Sequence, residues 1–310
     1  MDLSAISPIL LLAAMISAAT PILLAAIGEL VVEKAGVLNL GVEGMMITGA
    51  ICGFITAVAT GSPWIGFVGA AAGGAGLALL FGFCTQVLLS NQVATGLALT
   101  LFGLGLSSLL SQNYQGIRAP EVTDLYIPLL RDIPVLGPVL FQHDAIVYLG
   151  IGVCAGVWGF LRYSRAGLVL RAVGENHDAA HALGYKVRRV RLLAILFGGA
   201  CAGVGGAYLS IILVPQWTVG VTAGAGWIAL AIVVFASWRP GWLLIGAYLF
   251  GGVGALQLRM QGAGVPIPAE LLSMAPYLVT IISLVILSAG RGGAARAAPG
   301  SLGRIFHASR

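Results

Sequence analysis

From Gly44 to Pro120, from Ala145 to Gly174 and from Ala179 to Ala269 the chain contains no aspartate or glutamate. Stretches of that length without a carboxylate leave catalytic carboxylate pairs nowhere obvious to sit and weaken any proton-coupled reading, which needs an ionisable group at mid-membrane. Of 310 residues, 59% are apolar and only 9% charged, whereas soluble domains carry about 25% charged residues. No soluble core could hide so much apolar surface, so the solvent for most of the chain is a bilayer. Glycine supplies 45 residues, and membrane helices use small residues to bring their backbones together. Gly69/Gly73, Gly152/Gly156 and Gly199/Gly203 are the expected packing pairs.

A helix crosses the hydrocarbon with about 20 apolar residues. Nine segments qualify, roughly 5–28, 40–60, 64–89, 92–111, 144–161, 191–214, 223–238, 241–258 and 271–289. The expected fold is all-α, a polytopic transmembrane helical bundle of nine or ten spans. Pro21 is expected to kink the first span, and Asn91-Gln92 to form a tight turn between the third and fourth. Lys and Arg set the orientation. Placing 162–191 and the tail in the cytoplasm puts 13 of the 16 basic residues there and leaves Arg118, Arg131 and Arg259 outside. The N-terminus is then out and the C-terminus in. The expected organisation is a transmembrane unit over 1–290, with an external loop at 112–143 and a cytoplasmic segment at 162–191, followed by a basic cytoplasmic tail at 291–310. No Lys or Arg precedes Lys34, unlike the basic n-region of a signal peptide, so the first span is expected to be retained. The net charge of +5 belongs to these loops and predicts membrane lipid, not nucleic acid, as the surrounding partner. Cys52, Cys84, Cys154 and Cys201 fall in apolar runs at unrelated spacings and read as buried free thiols.

Glu29 to Gly49 reads ELVVEKAGVLNLGVEGMMITG. Its charged and amide groups (Glu29, Glu33, Lys34, Asn39, Glu43) continue into what should be the second span. Polar groups in hydrocarbon must face protein, water or one another. The segment therefore predicts a broken or re-entrant stretch packed inside the bundle. A glycine-interrupted run at Gly220 to Phe235 could correspond to it as half of an inverted repeat. The match to E-[RK]-x-G-V-x-N-[LI]-G-x-E-G-M-M over Glu33, Lys34, Gly36, Val37, Asn39, Leu40, Gly41, Glu43, Gly44, Met45 and Met46 resembles a signature of one family. These are the permease subunits of bacterial ABC importers of the ribose and branched-chain amino acid type. The likeness is to the nucleoside/simple-sugar branch. Trp227 to Ala231, Trp238-Arg239-Pro240, Ala255-Leu256-Gln257 and Ala275-Pro276-Tyr277-Leu278 extend it, so that it runs from about Ala25 to Leu287.

In the basic segment 162–191, Asn176 is a good N-cap, Asp178 falls in the first turn and Gly184 stands at a C′ stop. A two-turn surface helix is expected, with Ala179, Ala180 and Ala182 forming a small face able to enter a partner's groove. An ordinary basic inside loop would need no such caps. Asp178-Ala179-Ala180-x-x-x-Gly184 is similar to the E-A-A-x-x-x-G coupling motif of ABC permeases. The resemblance implies that Glu175, Asn176, Asp178, Ala179, Ala180 and Gly184 dock on a separate ABC ATPase subunit. ATP and Mg belong to that subunit, with no cofactor on this chain. It also implies a second permease chain, as a heterodimer or a homodimer, an external substrate-binding protein, and the bacterial inner membrane. His177 and His181 have a zinc-compatible spacing, but two ligands are too few.

The chain lacks the Gly-Lys-[Ser/Thr] of a P-loop, and neither HExxH nor GxSxG occurs. No catalytic residue is predicted, and a membrane enzyme has no clustered set to use. A secondary, ion-coupled carrier is the other reading. It would place proton or sodium coupling on Glu29, Glu33 or Glu43, whereas the favoured reading is that these carboxyls tie the broken segment together, with Asn39 and Lys34 as partners; Glu33, Asn39, Gly41, Glu43 and Gly44 are the broken-segment or pathway residues. The pathway candidates are Asn91, Gln92, Asn113, Tyr208, Trp227 and Gln257. Trp64, Trp217 and Trp242 read as interface anchors.

Overall fold

The computed structural model describes residues 8–123, 125, 133, 136–262 and 298–307, with single positions at 268, 274, 278, 281, 282 and 285. Among these, regular structure is helical throughout: α1 (Pro8–Lys34), α2 (Val42–Thr60), α3 (Pro63–Gly82), α4 (Gln92–Leu110), α5 (Leu136–Leu140), α6 (Ala145–Tyr163), α7 (Arg165–Glu175), α8 (His177–Ala182), α9 (Val187–Tyr208), α10 (Ala225–Phe235) and α11 (Pro240–Gly262). Single π-helical turns at Phe83–Val87 and Leu209–Leu213 prolong α3 and α9. Seven of the described helices (α1, α2, α3, α4, α6, α9 and α11) are long and apolar enough to cross a membrane. The span expected over 271–289 lies outside the described residues apart from the five single positions within it.

Two expected boundaries change. The first helix passes through Pro21 and continues to Lys34, so Glu29 and Glu33 stand on a helix and not in a loop. It can continue because protein partners, described below, replace water around both carboxyls. The span expected over 223–238 shrinks to the 11-residue α10, which at about 1.5 Å per residue is too short to cross the hydrocarbon alone.

The centre of the bundle is α1, α2, α3 and α9, packed at backbone distance. Added Cβ atoms would strike the Gly203 Cα from Gly49, the Met46 carbonyl from Gly206 and the Ala70 carbonyl from Gly203. Gly69 and Gly73 likewise sit on Thr56 and Cys52, and Gly199 on Ala78, as expected of packing pairs. Gly152 and Gly156 do not behave that way, since a Cβ at either meets nothing within 4 Å. Trp217 is not an interface anchor either. It is buried against Phe54, with ring centroids 6.0 Å apart, while Trp64 and Trp242 are exposed.

The connections fall on two faces. One carries 35–41, the turn before α4, α7–α8 and residues 298–307: Leu38 N–H bonds Gln92, and Ser301 N–H bonds the Gly174 carbonyl. On the other, isolated bridges join Gln115 to Trp217 and Arg118 to Gln216, and Tyr208 bonds Asp144. Asn91 makes the tight turn into α4 with its side chain accepting from Ala94 N–H at 3.0 Å, while Leu89 takes a left-handed φ of 57°.

Candidate functional site

The polar segment forms one buried assembly. After α1 ends, Gly36 turns the chain with a φ of 83°, and residues 37–41 run without helix into the bundle. Gly41 lies on Gly96, and Gly44 on Leu99 and Thr100. Those residues stand four to eight positions into α4, about 6–12 Å along its axis, so α2 starts inside the bundle. The break is therefore a non-helical entry to one span, not a re-entrant excursion. Asn39 holds it: its Oδ1 accepts from Gly41 N–H at 2.9 Å and its Nδ2 donates to Glu29 Oε2 at 3.2 Å. Thr100 donates to the Leu40 carbonyl at 3.1 Å.

Glu43, in the first turn of α2, reaches the start of α10. Its Oε1 accepts from Thr222 Oγ1 at 2.5 Å and Gly224 N–H at 3.0 Å, and its Oε2 accepts from Gly226 N–H at 2.7 Å. Gly224 has no side chain with which to cap α10. The carboxylate from another helix supplies the cap, at the positive end of the helix dipole. Gly226 is required for this approach, because a Cβ there would lie 2.6 Å from the Glu43 backbone. The two glycine-interrupted segments are thus brought into direct contact. Glu33 takes its hydrogen bond from the Trp238 indole at 2.5 Å rather than from Asn39 or Lys34. Ser237 and Trp238 both adopt left-handed φ (49° and 55°) to present that ring. Glu29 Oε1 and Thr48 Oγ1 are buried with no hydrogen-bond partner among the described residues.

On the same face, α8 has the expected caps. Asn176 Oδ1 accepts from Asp178 and Ala179 N–H at 3.1 and 3.0 Å, and Gly184 adopts a φ of 88° as the helix stops. Glu175, Asn176, Asp178, Ala179 and Gly184 are exposed, whereas Ala180 faces inward and is buried. His177 is buried as well. Its Nδ1 lies 3.2 Å from Arg191 Nη2, so the neutral ring accepts there. Burial first, then Arg191, push its pKa below the ordinary 6.5; Asp178 pulls upward, and Arg304 adds the smallest push downward.

The six pathway candidates are not gathered in one place. Asn91 caps α4, and Gln92 accepts from Leu38 N–H at 2.8 Å. Tyr208 donates to Asp144 Oδ2 at 2.7 Å. Asn113 is exposed in the turn after α4, and Trp227 and Gln257 are partly exposed on α10 and α11. A cavity of about 640 Å³ opens elsewhere, between Val31, Val153, Phe160, Leu170, Val190 and Phe197. Its wall is apolar and offers nothing to the hydroxyls of a polar solute. Sequence reasoning missed Thr222, Trp238 and the burial of Arg191. Trp238 had a signal in the Trp-Arg-Pro block; the others had none, because their partners lie far away in the chain.

The profile of the family described as "Branched-chain amino acid transport system / permease component" matches residues 11–287. The chain belongs to this family. Among its relatives, a Haloferax volcanii protein provisionally named as the glucose ABC transporter permease TsgC13 is 42% identical over 296 residues, covering 88% of this chain and 90% of that one. The nucleoside ABC transporter permease NupC of Lactococcus lactis is 33% identical over 292 residues, covering 89% and 92%. A solved ABC transporter in an inward-facing conformation, provisionally assigned to the metal-chelate type, superposes with a TM-score of 0.51. It covers 89% of this chain and 85% of that one at 17% identity, so this likeness speaks for the fold alone. The chain is thus a multi-pass ABC transporter permease subunit, a transport component.

Proposed function

We propose that this permease forms the translocation path of an ATP-driven importer for a nucleoside or a simple sugar. A single observation carries the solute class: two relatives covered over nearly their whole length are named for glucose and for nucleosides. The solute is delivered by an external binding protein, and ATP with its Mg is hydrolysed on a separate ATPase subunit. Support for that division comes from α8, which is capped at both ends and exposes Glu175, Asn176, Asp178, Ala179 and Gly184 on the face that also carries Lys34 and most loop arginines. That basic face is cytoplasmic by the charge rule, giving an N-terminus outside and a C-terminus inside the cell membrane. The working unit pairs this chain with a second permease, and a heterodimer is the preferred form.

Glu43, Asn39, Gly41, Gly44 and Glu33 set the geometry of the two interrupted spans. Discontinuous helices whose N-termini lie within the bundle line the solute sites of transporters of several folds. ATP-driven motion of α8 shifts the bundle between outward and inward access, and the solute biases it only by binding the two states differently.

The test is affinity purification of the chain from its native membrane. An ATPase subunit is expected in the eluate, and nucleoside or sugar binding in the co-purified external protein. A chain that emerges alone and moves solute in liposomes without ATP returns the secondary-carrier reading.

A further inference from the structure

Arg191 is completely buried, yet it forms no ion pair with a carboxylate among the described residues. Its three nitrogens are used in three directions. Nε donates to the Ala35 carbonyl at 3.2 Å, just beyond α1; Nη1 donates to the Arg304 carbonyl at 3.0 Å; Nη2 meets His177 Nδ1 at 3.2 Å on α8. A buried guanidinium is a poor way to gain stability, since an apolar side chain of similar volume often serves as well or better. What the guanidinium offers, and an apolar side chain does not, is a fixed fork of donors.

The second partner, Arg304, belongs to a segment that reads in sequence as an unremarkable tail. Residues 298–307 form a strap over α8. Ser301 N–H donates to the Gly174 carbonyl at 2.8 Å, Ser301 Oγ to the Glu175 carbonyl at 3.3 Å, and His177 N–H to Ser301 Oγ at 3.2 Å. Phe306 is buried with its ring edge-on to both His177 and His181, at 5.4 and 5.2 Å, in a cluster with Val173, Ala180 and Val187. The inner face of α8 therefore rests on the strap. The strap returns to the transmembrane part through Arg191 and through Gln92, whose Nε2 lies 3.5 Å from the Arg304 carbonyl. Gln92 also holds Leu38, one residue before Asn39.

We infer that Arg191 and the strap 299–306 are positioning elements of ATP coupling, tying α8 to the buried 35–41 turn so that displacement of α8 reaches the broken span. This rests on the importer reading above. Without the strap, α8 keeps its caps and its exposed docking residues but loses the floor beneath Ala180 and the link to Ala35.

The test uses the complete reconstituted importer: this chain, its partner permease, the ATPase and the binding protein in proteoliposomes. Variants are a deletion of 298–310, Ser301→Ala, Phe306→Leu, and Arg191→Lys, which keeps the charge and removes the fork. ATPase co-purification is measured for each, together with solute delivered per ATP hydrolysed. The expected result is that the ATPase still co-purifies while solute per ATP falls roughly tenfold in the deletion, within the usual range of coupling between sites, and by smaller factors in the point variants. A structural role alone would lower the amount of assembled protein and leave solute per ATP unchanged, and that outcome overturns the inference. Should the deletion not accumulate, Ser301→Ala and Phe306→Leu decide by the same ratio. Failure of the wild-type chain to bring down any ATPase strikes the importer reading itself, a result separable from an unchanged ratio.

Discussion

Glu43 does for α10 what that helix's own sequence cannot. Three donors converge on its two oxygens, and hydrogen bonds to a charged group contribute more than neutral ones. Glu43→Gln turns one acceptor into a donor facing an N–H. We expect it to lose about 2 kcal/mol, read as a lower midpoint of thermal unfolding in detergent, with Thr222→Val losing roughly half as much. An unchanged midpoint for Glu43→Gln would mean that the cap is not needed. His177 carries the pH-sensitive contact. Its neutral Nδ1 faces Arg191, with Asp178 beside it on α8 and Arg304 on the strap. Because its pKa is lowered on folding, the unfolded chain binds the proton more readily. The contribution is complete above the ordinary value of 6.5 and is lost as pH falls from there toward the folded value. Wild type should lose more thermal stability than His177→Gln between neutral pH and about one unit below the ordinary histidine value; equal losses would contradict the assignment. Local chemistry made part of this legible. Asn176, Asp178 and Gly184 act on their own few neighbours, so their spacing was sufficient. Arg191 was not legible, since among the seven basic residues of 162–191 nothing local separates a buried one from its solvated neighbours.

Among the elements, α2 and α10 carry the distinctive geometry. Both begin after non-helical stretches, and their N-terminal turns meet at Glu43. The polar run made the first interruption visible in sequence, and the glycines hinted at the second. Their contact was invisible, because it joins residues 179 to 183 positions apart. The length of α1 was misjudged for a related reason: Glu29 and Glu33 look like loop residues until Asn39 and Trp238 are placed beside them. The close approach also predicts sharply different costs for one methyl group. Gly226→Ala forces a Cβ onto the Glu43 backbone and should cost about 1–3 kcal/mol, visible as reduced recovery of folded protein. Gly76→Ala meets nothing within 4 Å and should be neutral. Equal recovery of the two variants would argue against the packing of α2 on α10.

For the whole molecule, α8, proposed as the docking helix, lies on one face with a buried guanidinium and a broken span. Gly184 takes a φ of 88°, a conformation that costs about 1–3 kcal/mol for other residues. Gly184→Val should therefore distort the end of α8 while the bundle still folds, separating docking from stability. The family was legible because its signature blocks are spread along the chain and the profile spans residues 11–287. Charge placement is what supports the proposed sidedness. The solute was not, because the polar residues offered for the path either serve structural bonds or lie apart. The most direct measurement is uptake of labelled guanosine and glucose by proteoliposomes holding this chain with the proposed second permease, ATPase and binding protein. On the importer reading, uptake of one of them requires ATP and is lost in Gly184→Val. Uptake that proceeds without ATP, driven by a proton or sodium gradient and indifferent to Gly184→Val, would contradict it.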